Sequence, residues 1–185
     1  MKNTYLTSHF PLFSILLFGL SFALYAERLI TAWLAEIGLY TGMLEFFSET
    51  GIRVTLTFFL LLFFFMIFSA LKLIAGTMIE LSLLFFSKDK EGEELRKIRS
   101  GTWIYFIASL LSLLFIFYPA GIAVTFLAAT TVYFIYFVYR VSDSLSGAGM
   151  FGLIFFHISF WCVSAAAVGY AGLRLYNSFI KSLPL

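Results

Sequence analysis

The sequence predicts an all-α integral membrane protein, a small bundle of about five transmembrane helices with an outer amphipathic segment. Three observations carry that prediction. Hydrophobic residues make up 62% of the 185-residue chain and charged residues only 12%, whereas soluble domains average about 45–50% apolar and about 25% charged. Runs such as Phe63-Phe64-Phe65, drawn from 25 phenylalanines, are apolar on every side of a helix. Finally, the apolar stretches have the lengths that a bilayer core about 30 Å thick demands, roughly 17–25 residues in helix.

The first span runs over 10–26, from Phe10 to Ala26, and is expected to end at Glu27-Arg28. Lys2, the apolar core and Ser21-Phe22-Ala23 would suit a cleaved signal. The run is long for a signal core and further spans follow, so it is read as an uncleaved span. Residues 29–47 come next, with Ile30, Trp33, Leu34, Ile37, Tyr40, Leu44 and Phe47 at helical spacing. Glu36 and Glu45 interrupt it, and carboxylates are costly in lipid. It is therefore expected to lie at the outer interface as an amphipathic segment, with Trp33 and Tyr40 at headgroup level. A re-entrant loop is the alternative.

The second span covers 54–71, and its apolar pattern continues past Lys72 to residue 86. A cytoplasmic polar loop, 87–101, follows; its Glu93 and Lys97 stand in the favourable order for a helical pair, and Gly101 is expected to close a short solvated helix. Spans three and four, 103–118 and 122–139, flank Pro119-Ala120-Gly121, which suits a tight reversal and an antiparallel hairpin. The fifth span is 150–173.

Orientation follows from Lys and Arg. With the amino terminus inside, Lys2, Lys72, Lys88, Lys90, Arg96, Lys97, Arg99 and Arg140 are cytoplasmic, against Arg28, Arg53, Arg174 and Lys181 outside. The expectation is a multi-pass protein of the cell membrane with a cytoplasmic amino terminus and loop and an outside carboxyl terminus. The formal net charge of +2 is too small and too scattered for nucleic-acid binding. The lone cysteine, Cys162, excludes an internal disulfide, and with His9 and His157 it cannot complete a Cys/His zinc site. No metal or other cofactor is implied.

Few residues could carry chemistry. Lys72 and Glu80 share a helical stripe with Ser69 and Gly76. Either Lys72 snorkels to the inner surface while the helix continues along the interface, or both groups sit deep in the bundle and serve an ion pathway. His157 is the ionisable side chain near the middle of a clean span. A packed histidine bonded to Thr130, Thr131, Ser109 or Ser112 is the structural reading, and a proton carrier the functional one. Ser159, Cys162, Ala166, Gly169 and Gly172 form a small-residue stripe, read as a helix-packing seam toward the same chain or a second protomer. Tyr133, Tyr136 and Tyr139 suit an interfacial anchor. The loop mixes charge signs too evenly for an anionic-lipid switch. No phosphate-binding or hydrolase motif is present.

Several stretches carry a family resemblance: GLYTGMLEFFSE (Gly38 to Glu49), ELSLLFFSKDKEGEELRKIRSG (Glu80 to Gly101), VYFIYFVY (Val132 to Tyr139), GLIFF (Gly152 to Phe156) and RLYNS (Arg174 to Ser178). Over nearly its whole length the chain resembles the YufK family of small, uncharacterised bacterial membrane proteins. The resemblance implies a multi-span protein of the bacterial plasma membrane and supplies no catalytic residue or substrate. The expected role is a non-enzymatic accessory, scaffold or regulatory component of a membrane complex, with the lipid bilayer and a membrane-protein partner or second copy as its surroundings. A small proton- or ion-coupled transporter using His157, Lys72 and Glu80 is the alternative. An intramembrane enzyme is the least supported, because no nucleophile–base pair can be named.

Overall fold

The computed structural model describes residues 4–89 and 91–182, with side chains from His9 onward. Lys2 and Lys90, two of the basic residues assigned to the cytoplasmic side, lie outside the described residues. The elements are α1 (Thr4–Glu36), α2 (Leu39–Leu44), α3 (Glu49–Phe86), α4 (Glu93–Ile98), α5 (Thr102–Ser112), α6 (Pro119–Val141) and α7 (Gly147–Ser182). Short 3-10 turns occupy Arg99–Gly101, Leu113–Phe115 and Ser142–Ser144. The described residues form no strand, and five helical stretches are long and apolar enough to cross a membrane. The protein is an all-α membrane bundle, as its composition predicts.

The first helix departs from the expected boundary. It passes Glu27-Arg28 without a break and continues to Glu36. The charges do not stop it because both find company. Buried Glu27 accepts from Arg53 Nε at 2.9 Å, and the Arg28 guanidinium lies 3.9 Å from the Phe117 ring centre, a cation–π geometry. Residues 29–36 are thus the last turns of α1, not part of a separate segment. The remainder of 29–47 holds the short α2, which follows Gly38 in the left-handed region (φ 78°).

Helix α3 starts on Ser48, whose Oγ accepts from the Gly51 N–H at 3.1 Å, and Glu49 sits in the first turn, where the helix dipole favours an anion. Its 38 residues run unbroken through Lys72 and Gly76. At ~1.5 Å per residue that is roughly 57 Å, well beyond a bilayer core.

The polar loop is more structured than its charge suggests. Asp89 accepts from the backbone N–H groups of Glu91, Gly92 and Glu94 at 3.0, 3.1 and 2.8 Å, and Gly92 takes a positive φ of 77° to enter α4. The Lys97 ammonium pairs with buried Glu94 at 2.7 Å, not with the expected Glu93. Gly101 does not close a helix. Its φ is −64°, and the chain passes through it into α5. Its requirement is space: an added Cβ would stand 2.7 Å from the Tyr136 ring and 2.8 Å from that of Tyr133.

Helices α5 and α6 form the predicted antiparallel hairpin. Gly101 meets Tyr133 and Tyr136 at one end, and Gly121 meets Phe115 at the other. Pro119 occupies the first turn of α6, where its missing N–H costs nothing. One core cluster joins Phe18, Phe68, Ala108, Ile122 and Ala129, with Phe126 set edge-on to Phe18 and Phe68 at centroid distances of 5.3 and 5.2 Å. A second gathers Leu83, Ile98, Phe137, Val141 and Leu153 at the loop end. There the turn before α7 is clasped to the end of α3. The Lys88 N–H donates to the Ser144 carbonyl at 3.0 Å, Ser87 Oγ donates to Ser144 Oγ at 3.1 Å, and Ser87 and Leu145 form an isolated antiparallel bridge.

Candidate functional site

The candidate ionisable residues fall in two places. His157 is buried on α7, at 5% exposure. Its Nδ1 donates to the Leu153 carbonyl of its own helix at 3.1 Å. None of the four expected hydroxyl partners reaches it, because each bonds locally instead: Thr130 to the Phe126 carbonyl, Thr131 to Leu127, Ser109 to Phe106 and Ser112 to Ser109. The ring is boxed by Phe134, Phe137 and Phe156 at centroid distances of 5.5, 5.5 and 5.9 Å. Three aromatic rings, two tilted and Phe156 edge-on, supply packing and offer no acceptor to pass a proton along.

Lys72 and Glu80 are exposed on α3. They line a groove of about 520 Å³ at the loop end, with Gly76 between them and Arg96, Arg99 and Thr102 opposite. Their eight-residue separation is about 12 Å along the helix. Among the described residues, none of Lys72, Glu80, Arg96 and Arg99 forms an ion pair. His157 is not among the groove's lining residues, so the three ionisable candidates do not converge on one site.

Among the described residues, the small-residue stripe of α7 is largely left unpacked. Cys162, Ala166, Gly169 and Gly172 are exposed and only Ser159 is half-buried, and a Cβ at Gly169 or Gly172 would stand in open space. The glycines that α7 does use lie earlier. A Cβ at Gly152 would come within 2.5 Å of the Phe86 ring, and one at Gly149 within 2.8 Å of the Phe86 carbonyl. From residue 165 to 181 every position is exposed, so the distal half of α7 stands out from the bundle as an exposed helix. Of the tyrosines, Tyr136 holds Ser100 through a 2.6 Å hydroxyl contact, Tyr133 packs on Gly101, and Tyr139 is exposed.

Two polar contacts within the bundle escape a reading of the sequence. One is the Glu27–Arg53 pair; Arg53 also approaches Glu49 at 3.6 Å. The other joins Ser21 and Ser112 hydroxyls at 2.8 Å between α1 and α5, both fully buried. Small hydroxyl residues at a helix–helix contact are a recurrent membrane device, and Ser14, Ser21 and Ser112 in apolar spans were the available signal.

Comparison with known proteins agrees with this architecture. The model of a family described as one of unknown function (DUF5366) matches residues 27–184. A Bacillus subtilis (strain 168) protein named "Uncharacterized membrane protein YufK" is 42% identical over 185 residues, covering 100% of each chain. No solved structure matches.

Proposed function

The chain belongs to this family of unknown function (DUF5366), and from that premise we propose that it is a non-enzymatic accessory or scaffold subunit that receives a transmembrane helix of another protein chain along the distal half of α7. The observation that carries this reading is the exposure of every residue from 165 to 181. Lipid tails are as apolar as leucine, so helices associate in membranes through close van der Waals fit, which small residues permit. Cys162, Ala166, Gly169 and Gly172 supply such a surface on a helix that is already anchored at its other end. The aromatic box around His157 supports a packed histidine over a proton carrier.

The lone cysteine makes the reading testable. Cys162 lies on the seam, so a short thiol-reactive crosslinker applied to native membranes reports on what faces it. The expected result is a discrete adduct whose yield drops with Gly169→Leu. Because a Cβ at Gly169 meets no described atom within 4 Å, that substitution is expected to leave the monomer's fold intact. The mass of the adduct distinguishes a different protein from a second copy. Absence of any adduct from Cys162, and from cysteines placed at 166, 169 and 172, overturns the proposal.

A further inference from the structure

The polar loop alternates charge signs along the sequence, yet the fold sorts them. Asp89 is occupied by three backbone N–H groups. Buried Glu94 pairs with Lys97 through Oε1. Arg96 and Arg99, three residues apart and so on one helical face, instead line the groove together with Lys72. The groove therefore holds three cations against one carboxylate, Glu80, a local excess of two positive charges in a chain whose overall charge is only +2. Pro11, Ile79 and Leu95 supply apolar wall beside them. Beside Pro11 and Lys72 in sequence, Leu12, Phe13 and Leu73 are 47%, 48% and 73% exposed, apolar surface on α1 and α3.

We propose that this groove binds the headgroup phosphate of an anionic phospholipid, with the acyl chains lying along the adjoining exposed faces of α1 and α3. A basic pocket between transmembrane helices, at the end that carries the charged loop, has the chemistry for such a headgroup. Guanidinium groups present planar, paired N–H donors that match phosphate oxygens, and Lys72 adds a point charge. The volume of about 520 Å³ lies within the range of small-molecule sites, ~300–1,000 Å³. It exceeds what a bare phosphate fills and leaves room for a glycerol headgroup. The apolar wall continuing onto lipid-facing helix favours a lipid over a soluble phosphate ester. Glu80 opposes the bound phosphate and limits its affinity.

The test is native mass spectrometry of the full-length protein in a neutral detergent. It is titrated with phosphatidylglycerol, with phosphatidylcholine of the same chains, and with glycerol 1-phosphate. Phosphatidylglycerol is expected to bind in preference to phosphatidylcholine. Each cation near a membrane surface is worth a factor of about five in binding, so Arg96→Gln with Arg99→Gln is expected to cut the preference roughly twenty-five-fold. Both side chains are exposed and their loss leaves the core untouched. Glu80→Gln is expected to strengthen phosphatidylglycerol binding, a gain that a merely structural role would not produce. Lys88→Gln, outside the groove, is expected to change nothing. Equal binding of the two lipids overturns the proposal, as does a preference that survives the double substitution or falls equally with Lys88→Gln. Displacement of the lipid by glycerol 1-phosphate at comparable concentration also overturns it, in favour of a soluble phosphate ester.

Discussion

Arg53 Nε donates to Glu27 Oε1 at 2.9 Å, tying the last third of α1 to the first turns of α3 across the connection that contains α2. The carboxylate is 5% exposed while the arginine side chain is about half exposed. Removing the arginine strands a buried charge, whereas removing the carboxylate leaves an arginine that water or headgroups can still solvate.

Arg53→Ala is therefore expected to lower the melting temperature in detergent more than Glu27→Gln does, and far more than Glu49→Ala. Exchanging the two residues, Glu27→Arg with Arg53→Glu, is expected to recover only part of the loss, because the longer side chain is then the buried one. Equal and negligible effects of Arg53→Ala and Glu49→Ala would show that the contact contributes nothing.

Gly152 and Gly169 sit on the same helix in contrasting surroundings. Gly152→Leu is expected to destabilise by about 1–3 kcal/mol, the usual cost of overpacking, because Phe86 already occupies the space. Phe86→Ala in the same chain is expected to relieve much of that cost. Gly169→Leu is expected to leave the monomer's thermal unfolding unchanged. Equal effects at the two positions would contradict the path of α7.

His157 is held as an aromatic ring among aromatic rings. His157→Phe is expected to be tolerated within about 1 kcal/mol, since it keeps the shape and removes a buried polar group. His157→Ala is expected to cost about 2–5 kcal/mol through the cavity it leaves. With Cys162→Ala as background, His157→Cys is expected to resist a membrane-impermeant thiol reagent until the protein is denatured. Labelling of the native fold would reveal an aqueous path to this depth.

The carboxyl of Asp89 sits below the ordinary aspartate range, chiefly because the Glu94 N–H donates to it, with those of Glu91 and Gly92 adding to the effect. The native loop holds the ionised form, and the unfolded loop takes up a proton more readily. The ordering that Asp89 provides is therefore complete above the usual aspartate value, about pH 4, and is lost as pH falls through the lowered native value. The Glu94 amide resonance in detergent is expected to hold its position to below about pH 4 and then move. Asp89→Asn is expected to abolish that transition. A midpoint at or above the usual aspartate value would contradict the geometry.

The five apolar helices were legible because hydropathy is local: each stretch announces itself without reference to any other. What α1 does at Glu27-Arg28 is not local. Two adjacent charges normally mark the end of a span, and only Arg53 and Phe117, distant in sequence, let the helix carry them further. The same holds for the glycines of α7. Stripes at 149–152 and 166–172 look alike in spacing, and which one meets another helix depends on where α7 parts from the bundle. Gly101 looked like a helix terminator until the tyrosines of α6 gave it a different duty. In the loop, charge balance was visible, but the sorting of Asp89 and Glu94 away from Arg96 and Arg99 required the fold.

The bare distal half of α7 has a consequence for supply and stoichiometry. The interior backbone groups of a helix in lipid are satisfied within the helix itself, so this stretch needs no companion in order to exist. Subunits whose interfaces complete a soluble core must be made together or be degraded. A chain built this way can be inserted, finished and held in reserve at any ratio to whatever it meets. For the partner proposed above, assembly would be a matter of lateral diffusion and mass action, reversible by dilution in the bilayer.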